Sequence, residues 1–118
     1  VKLIDVRPDG YQMLVRADIM PARYRDGYGK AEPLKPGKKY VVKFTMNDIF
    51  HSFVPGHKMV VQVESSWFPL AAMNPQTFVK NQFKAVKSDY VSADMTVYCG
   101  KKSSSYIELP ILDSFRTK

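Results

Sequence analysis

Cys99 is the only cysteine in the 118 residues. A lone thiol closes no internal disulfide and builds no cysteine-ligated metal site. It stands at the end of an alternating segment and is expected to be a small buried hydrophobe; it leaves the redox compartment undetermined. No run of about 18 apolar residues occurs, which excludes a membrane-spanning helix. A signal-peptide pattern is also missing, and the sequence opens on Val1 inside a strand-like segment. A fragment of a longer protein is therefore expected, with its localisation unknown.

The chemical motifs are as scarce. Gly-x-Ser-x-Gly is absent, so there is no nucleophile elbow to raise a serine for acyl transfer. There is no DxDxDG loop for calcium. The two histidines, His51 and His57, lie six apart near Asp48 and Glu64, a spacing that matches no common zinc or calcium set. Ser65 and Ser66 lie at a strand end beside a tryptophan, and nothing in the spacing unites them with a histidine base and an Asp48 orienter. The chain is expected to be non-catalytic, with no metal and no cofactor. Acidic residues are the minority charge, 11 against 18 Lys and Arg, for a net +7. The basic residues are scattered, with no block of five, so they are expected to solvate the surface and not to form a nucleic-acid stripe.

What is present is a succession of short extended segments. Met59, Val61 and Val63 alternate with Lys58, Val60, Gln62 and Glu64 after the turn signal Pro55-Gly56. This period of two predicts a strand over residues 58–65 with one buried face. Residues 1–6 are apolar on both faces, as suits a strand inside a sheet. Pro8-Asp9-Gly10 predicts a turn, and residues 11–15 its hairpin partner. Residues 17–24 read as extended, interrupted by Pro21, and a loop with Pro33 and Pro36-Gly37 follows. Residues 39–46 predict a strand whose face is Tyr40, Val42, Phe44 and Met46; residues 93–99 and 106–112 predict two more, with a polar turn at residues 103–105. Residues 49–53 are too short for a stable helix, residues 78–89 have room for one helical turn, and residues 114–118 are expected to fray. Six or so short strands without a long helical pattern predict an all-β sandwich in a single domain, residues 1–118.

The middle of the chain also resembles a known family. Phe50-His51-Ser52-Phe53, Pro55-Gly56-His57-Lys58, the stretch from Val61 through Trp67-Phe68-Pro69, and Asn74-Pro75-Gln76-Thr77 follow one another at short fixed gaps. Together they resemble the C-terminal β-sandwich domain of the X-prolyl dipeptidyl-peptidase and cocaine-esterase-like serine hydrolases, a group that includes α-amino-acid ester hydrolases and glutaryl or cephalosporin acylases. The resemblance implies a jelly-roll β-sandwich of the galactose-binding-like type, lacking its first strands, from a bacterial enzyme. It also implies that the catalytic Ser, Asp and His lie in a separate α/β-hydrolase domain of the same parent chain.

An apolar loop favours burial. Trp67-Phe68-Pro69 is therefore expected to contact that hydrolase domain, with Phe53, His57, Trp67, Phe68, Pro69, Asn74, Pro75 and Gln76 as the interface. The competing expectation is a carbohydrate or small-ligand platform built on Trp67, Phe68, Tyr28 and Tyr106. A sheet that lacks strands exposes unpaired edges, so self-association as a homodimer is a further expectation.

Overall fold

A computed structural model describes residues 1–112; the expected fraying at residues 114–118 lies outside the described residues. β1 (Lys2–Val6) is central in a three-stranded antiparallel sheet, between β2 (Gln12–Ala17) and β3 (Lys58–Gln62). The apolar character of both faces of β1 fits this position. Leu3 and Ile4, on opposite faces, are buried with Val15 of β2. Arg7 N–H donates to Tyr11 O and Gly10 N–H to Arg7 O, both at 2.9 Å, so the Pro8-Asp9-Gly10 hairpin forms where the sequence places it. Gly10 has φ +88°, a conformation a Cβ would oppose. Between the Leu3↔Arg16 and Ile4↔Leu14 pairs the register slips by one, which leaves Val15 as an extra residue in β2. β1 and β3 pair without interruption, from Lys2↔Gln62 to Val6↔Lys58.

A two-stranded antiparallel sheet, β4 (Cys99–Gly100) with β5 (Ser103–Ser104), forms near the end of the described residues. Two of the three serines expected in a turn, Ser103 and Ser104, are thus the second strand of a tight hairpin, and Lys101-Lys102 make the turn. Cys99 is exposed, not buried as expected, because so short a hairpin has nothing packed over it. The helical content of the described residues is three single 3-10 turns, at Ala22–Tyr24, Gln82–Lys84 and Lys87–Asp89. The fold class is all-β.

Three of the expected strands carry no backbone ladder. Residues 39–46, most of 93–99, and 106–112 are irregular. Their alternation nevertheless survives in part, since Tyr40, Phe44 and Met46 are less exposed than their neighbours. A period of two describes side chains, whereas a strand exists only when a neighbour takes its N–H and C=O groups. Among the described residues no continuous ladder forms beside these segments, and Tyr98 O, which accepts from Ser105 N–H at 2.8 Å, only extends the β4–β5 hairpin. β3 has the related deficit. Its ladder to β1 is intact, yet all five of its residues are exposed, because no second layer lies over the expected buried face.

Residues 17–24 are not extended to their end. The chain turns at Pro21 into the Ala22–Tyr24 3-10 turn, and its two arginines serve as internal staples. Arg23 donates through Nη2 to Val79 O at 2.6 Å and lies 4.4 Å from the Phe78 ring. Arg25, with a side chain only 7% exposed, bonds to Ala22 O, Glu32 O and the Glu32 carboxylate and stacks on Tyr40 at 4.7 Å. Two cations of the surplus therefore hold loops together across the chain.

Candidate functional site

Asp5 is the only charged residue buried as a whole among the described residues, at 2% exposure. It lies in the middle of β1, with Met13 and Met59 opposite it on the flanking strands. A carboxylate so placed must be given hydrogen bonds or be neutralised. Two imidazoles satisfy it: His51 Nε2 is 2.9 Å from Oδ2, and His57 Nδ1 is 2.8 Å from Oδ1. Burial pushes the Asp5 carboxyl up, but the two imidazole hydrogen bonds and the positive charge they can carry pull it down further, so it lies below its ordinary value. The ionised carboxylate is an acceptor only. Each facing ring nitrogen must therefore carry the proton.

Local structure delivers both histidines. His57 N–H donates to Val54 O at 3.1 Å across the Pro55-Gly56 turn, and Gly56, at φ +86°, packs beside the Pro8 ring. That turn feeds directly into β3, which fixes His57 next to β1. His51 is wedged edge-on against Phe53, with ring centroids 4.8 Å apart and planes at 87°, a favourable aromatic geometry. The two histidines that spacing alone left apart are thus united, and the acid between them is Asp5, not Asp48. Glu64 is elsewhere, paired with Lys2 at 2.7 Å. The histidine spacing is legible in sequence; Asp5, some fifty residues away, is tied to them only by the register of β1 against β3. No group of three or more His, Cys, Asp or Glu among the described residues is placed to hold a metal ion.

The other expected interface residues fall into two further places. Trp67 is half-buried under Lys2, whose ammonium lies 5.2 Å from the ring centre. Lys2 and Asp5 leave β1 on opposite faces, because successive side chains alternate. Trp67 is thus anchored to one face of the sheet, while His57 and Phe53 gather at the other. Phe68 is 63% exposed, Pro69 follows it through a cis peptide, and Ala71 N–H closes the turn on Trp67 O at 2.9 Å. Asn74 Nδ2 donates to Gln76 Oε1 at 3.2 Å. Pro75 between them is fully buried, and its carbonyl accepts from Val91 N–H at 3.0 Å, so it supports the turn from behind. Gln76 bridges to Tyr90 and has φ +67°, a strained value for a residue with a Cβ.

An open groove of about 840 Å³ lies apart from both, between the Ala22–Tyr24 and Gln82–Lys84 turns. Arg23 bridges it to Val79, and Phe83, on its rim, is almost wholly exposed.

A chain that presents apolar side chains this widely, and carries no nucleophile elbow, is one whose relatives decide its class. Residues 1–108 match the family described as the X-Pro dipeptidyl-peptidase C-terminal non-catalytic domain. The chain belongs to this family. A curated relative agrees: the cocaine esterase of Rhodococcus sp. (strain MB1 Bresler) is 32% identical over 114 residues, which are 94% of this chain and 19% of that esterase. This member of the X-Pro dipeptidyl-peptidase C-terminal family therefore spans about a fifth of the length of the curated relative it matches. Among the described residues no helix is long and apolar enough to cross a membrane.

Proposed function

We propose that this family member is the accessory, non-catalytic β-domain of a serine hydrolase of the X-Pro dipeptidyl-peptidase or acyl-esterase type. It packs on the α/β-hydrolase domain of the same parent chain and supports the wall of the substrate cleft. The observation that carries the reading is the mismatch between apolar side chains and cover. Among the described residues only Leu3, Ile4 and Val15 are buried apolar side chains outside proline, whereas Met59, Val61, Val63, Phe68 and many others face outwards. Exposed apolar surface on this scale marks an interaction surface. The shape agrees, since a radius of gyration of 17.7 Å exceeds the roughly 13.5 Å of a compact domain of this length. The contact is drawn by Phe53 and His57 on one side of the sheet and by Trp67, Phe68, Pro69, Asn74 and Gln76 on the other.

The test mixes two pieces of the parent hydrolase. The hydrolase domain is assayed on a chromogenic ester and an X-Pro amide, with and without this chain added. Activity that rises, or survives longer, on addition is the expected result. Full activity that is unchanged on addition would sink the accessory reading and turn attention to a glycan-binding module, which predicts saturable sugar binding lost in Trp67→Ala.

A further inference from the structure

We infer that the Asp5–His51–His57 cluster is the polar anchor of the domain contact, with His57 Nε2 as the hydrogen-bond acceptor for a donor on the hydrolase domain. The inference rests on the accessory-domain reading. It names one contact within that reading and the chemistry of its partner group.

The first support is orientation. An ionised Asp5 can accept only from N–H groups, and the His57 nitrogen it faces is Nδ1. In its neutral form the ring then carries its lone pair on Nε2, as a carboxylate commonly fixes an imidazole tautomer. His51 is fixed in the opposite sense, through Nε2, so its lone pair is on Nδ1.

The second support is access. The buried side-chain nitrogens without a partner among the described residues are Arg16 Nε and Arg23 Nε. The outer histidine nitrogens are not in that set and make no bond among the described residues, so each keeps some contact with solvent. The side chains as a whole are only 20% and 18% exposed. Each ring is thus held firmly with one edge available, which is the preorganisation a contact residue needs.

The third support is the surround. Ile49, Phe50 and Val54 lie on the same loop and are exposed, Phe50 at 81%. An oriented polar group on a loop that also exposes apolar side chains has the composition of an interface centre, where apolar neighbours exclude water from a polar bond. A loop evolved only to satisfy Asp5 has no need of outward aromatic and aliphatic side chains. The donor that suits this acceptor is a backbone N–H or a hydroxyl, because this chain already carries a net charge of +7 and repels a cationic donor.

The test has two parts. In the 118-residue chain, imidazole nitrogen NMR shifts report the tautomers directly. A proton on His57 Nδ1 with Nε2 bare is expected; a proton on Nε2 overturns the inference. The second part uses His57→Asn in the complete hydrolase polypeptide, since the asparagine amide keeps a donor near Asp5 but removes the outer acceptor. Hydrogen exchange of amides 53–58 is expected to quicken about fivefold, the scale of one hydrogen bond, while the exchange of β1 is unchanged. Wild-type exchange at 53–58 overturns the anchor. In that case Trp67→Ala with Phe68→Ala separates the two ideas: exchange that quickens at 66–76 leaves the domain contact standing without this anchor, and exchange that does not quicken removes both. If His57→Asn fails to fold, the tautomer measurement decides alone.

Discussion

Replacing Trp67 and Phe68 together with alanine in the complete hydrolase is expected to shorten the half-life of its activity at raised temperature by tenfold or more, while this domain keeps its own β1–β3 sheet. The reason is that neither ring contributes to the buried centre of the chain. Phe68 is mostly exposed, and Trp67 touches the sheet through the Lys2 ammonium and not through a packed core. Their removal costs the chain little. At an interface, by contrast, aromatic truncations cost about 2 kcal/mol or more, and at 1.4 kcal/mol per decade the pair gives well over tenfold. Circular dichroism of the variant should match wild type, and the activity left in the proposed parent hydrolase after heating should not. An unchanged half-life would mean that the loop is not covered in the parent protein.

The second large effect is at Asp5. Asp5→Ala is expected to lower the thermal midpoint of the chain by on the order of 10 °C, at the high end for a single substitution. The loss is steep because two imidazoles lose a shared acceptor and the turn into β3 loses its tie to the central strand. The effect has a defined pH signature. The folded-state value of the Asp5 carboxyl lies below its ordinary value, so its contribution is fully present above the unfolded value of about 3.9 and is lost as pH falls through the lower, folded value. Wild type and Asp5→Asn should therefore differ widely in thermal midpoint at pH 7 and converge in strong acid. A difference that persists undiminished at low pH would show that packing, and not the carboxylate charge, holds this centre.

Different parts of the molecule were legible in the sequence for different reasons. The Pro8-Asp9-Gly10 hairpin and the Pro55-Gly56 turn were readable because proline and glycine set backbone angles locally, and Gly10 and Gly56 have the positive φ those turns require. The central place of β1 was readable because both of its faces are apolar. The segment at residues 39–46 was misread as a hydrogen-bonded strand, because its alternation of Tyr40, Phe44 and Met46 concerns side chains, while the ladder depends on a neighbour that periodicity does not name. Arg23 and Arg25 looked like surface charge. Only the fold brings Val79 and Glu32 within their reach.

The candidate site divided the same way. The motifs around His57 and Trp67 carry the resemblance, and the family match over residues 1–108 agrees with it. The partner of the histidines could not be read, because Asp5 lies some fifty residues upstream, in a strand whose pairing with β3 no spacing names. The separation of His57 and Trp67 onto different faces of the sheet was equally hidden, since it follows from their contacts with Asp5 and Lys2, which leave β1 on opposite faces.

Hydrogen exchange, compared between this chain alone and the complete hydrolase at neutral pH, tests the domain contact most directly. Amides at 50–57 and 66–76 should exchange at least tenfold more slowly in the complete protein, with the β1–β2 hairpin little changed. Equal rates in both proteins at these two loops would contradict the contact, and with it the accessory role proposed for this chain.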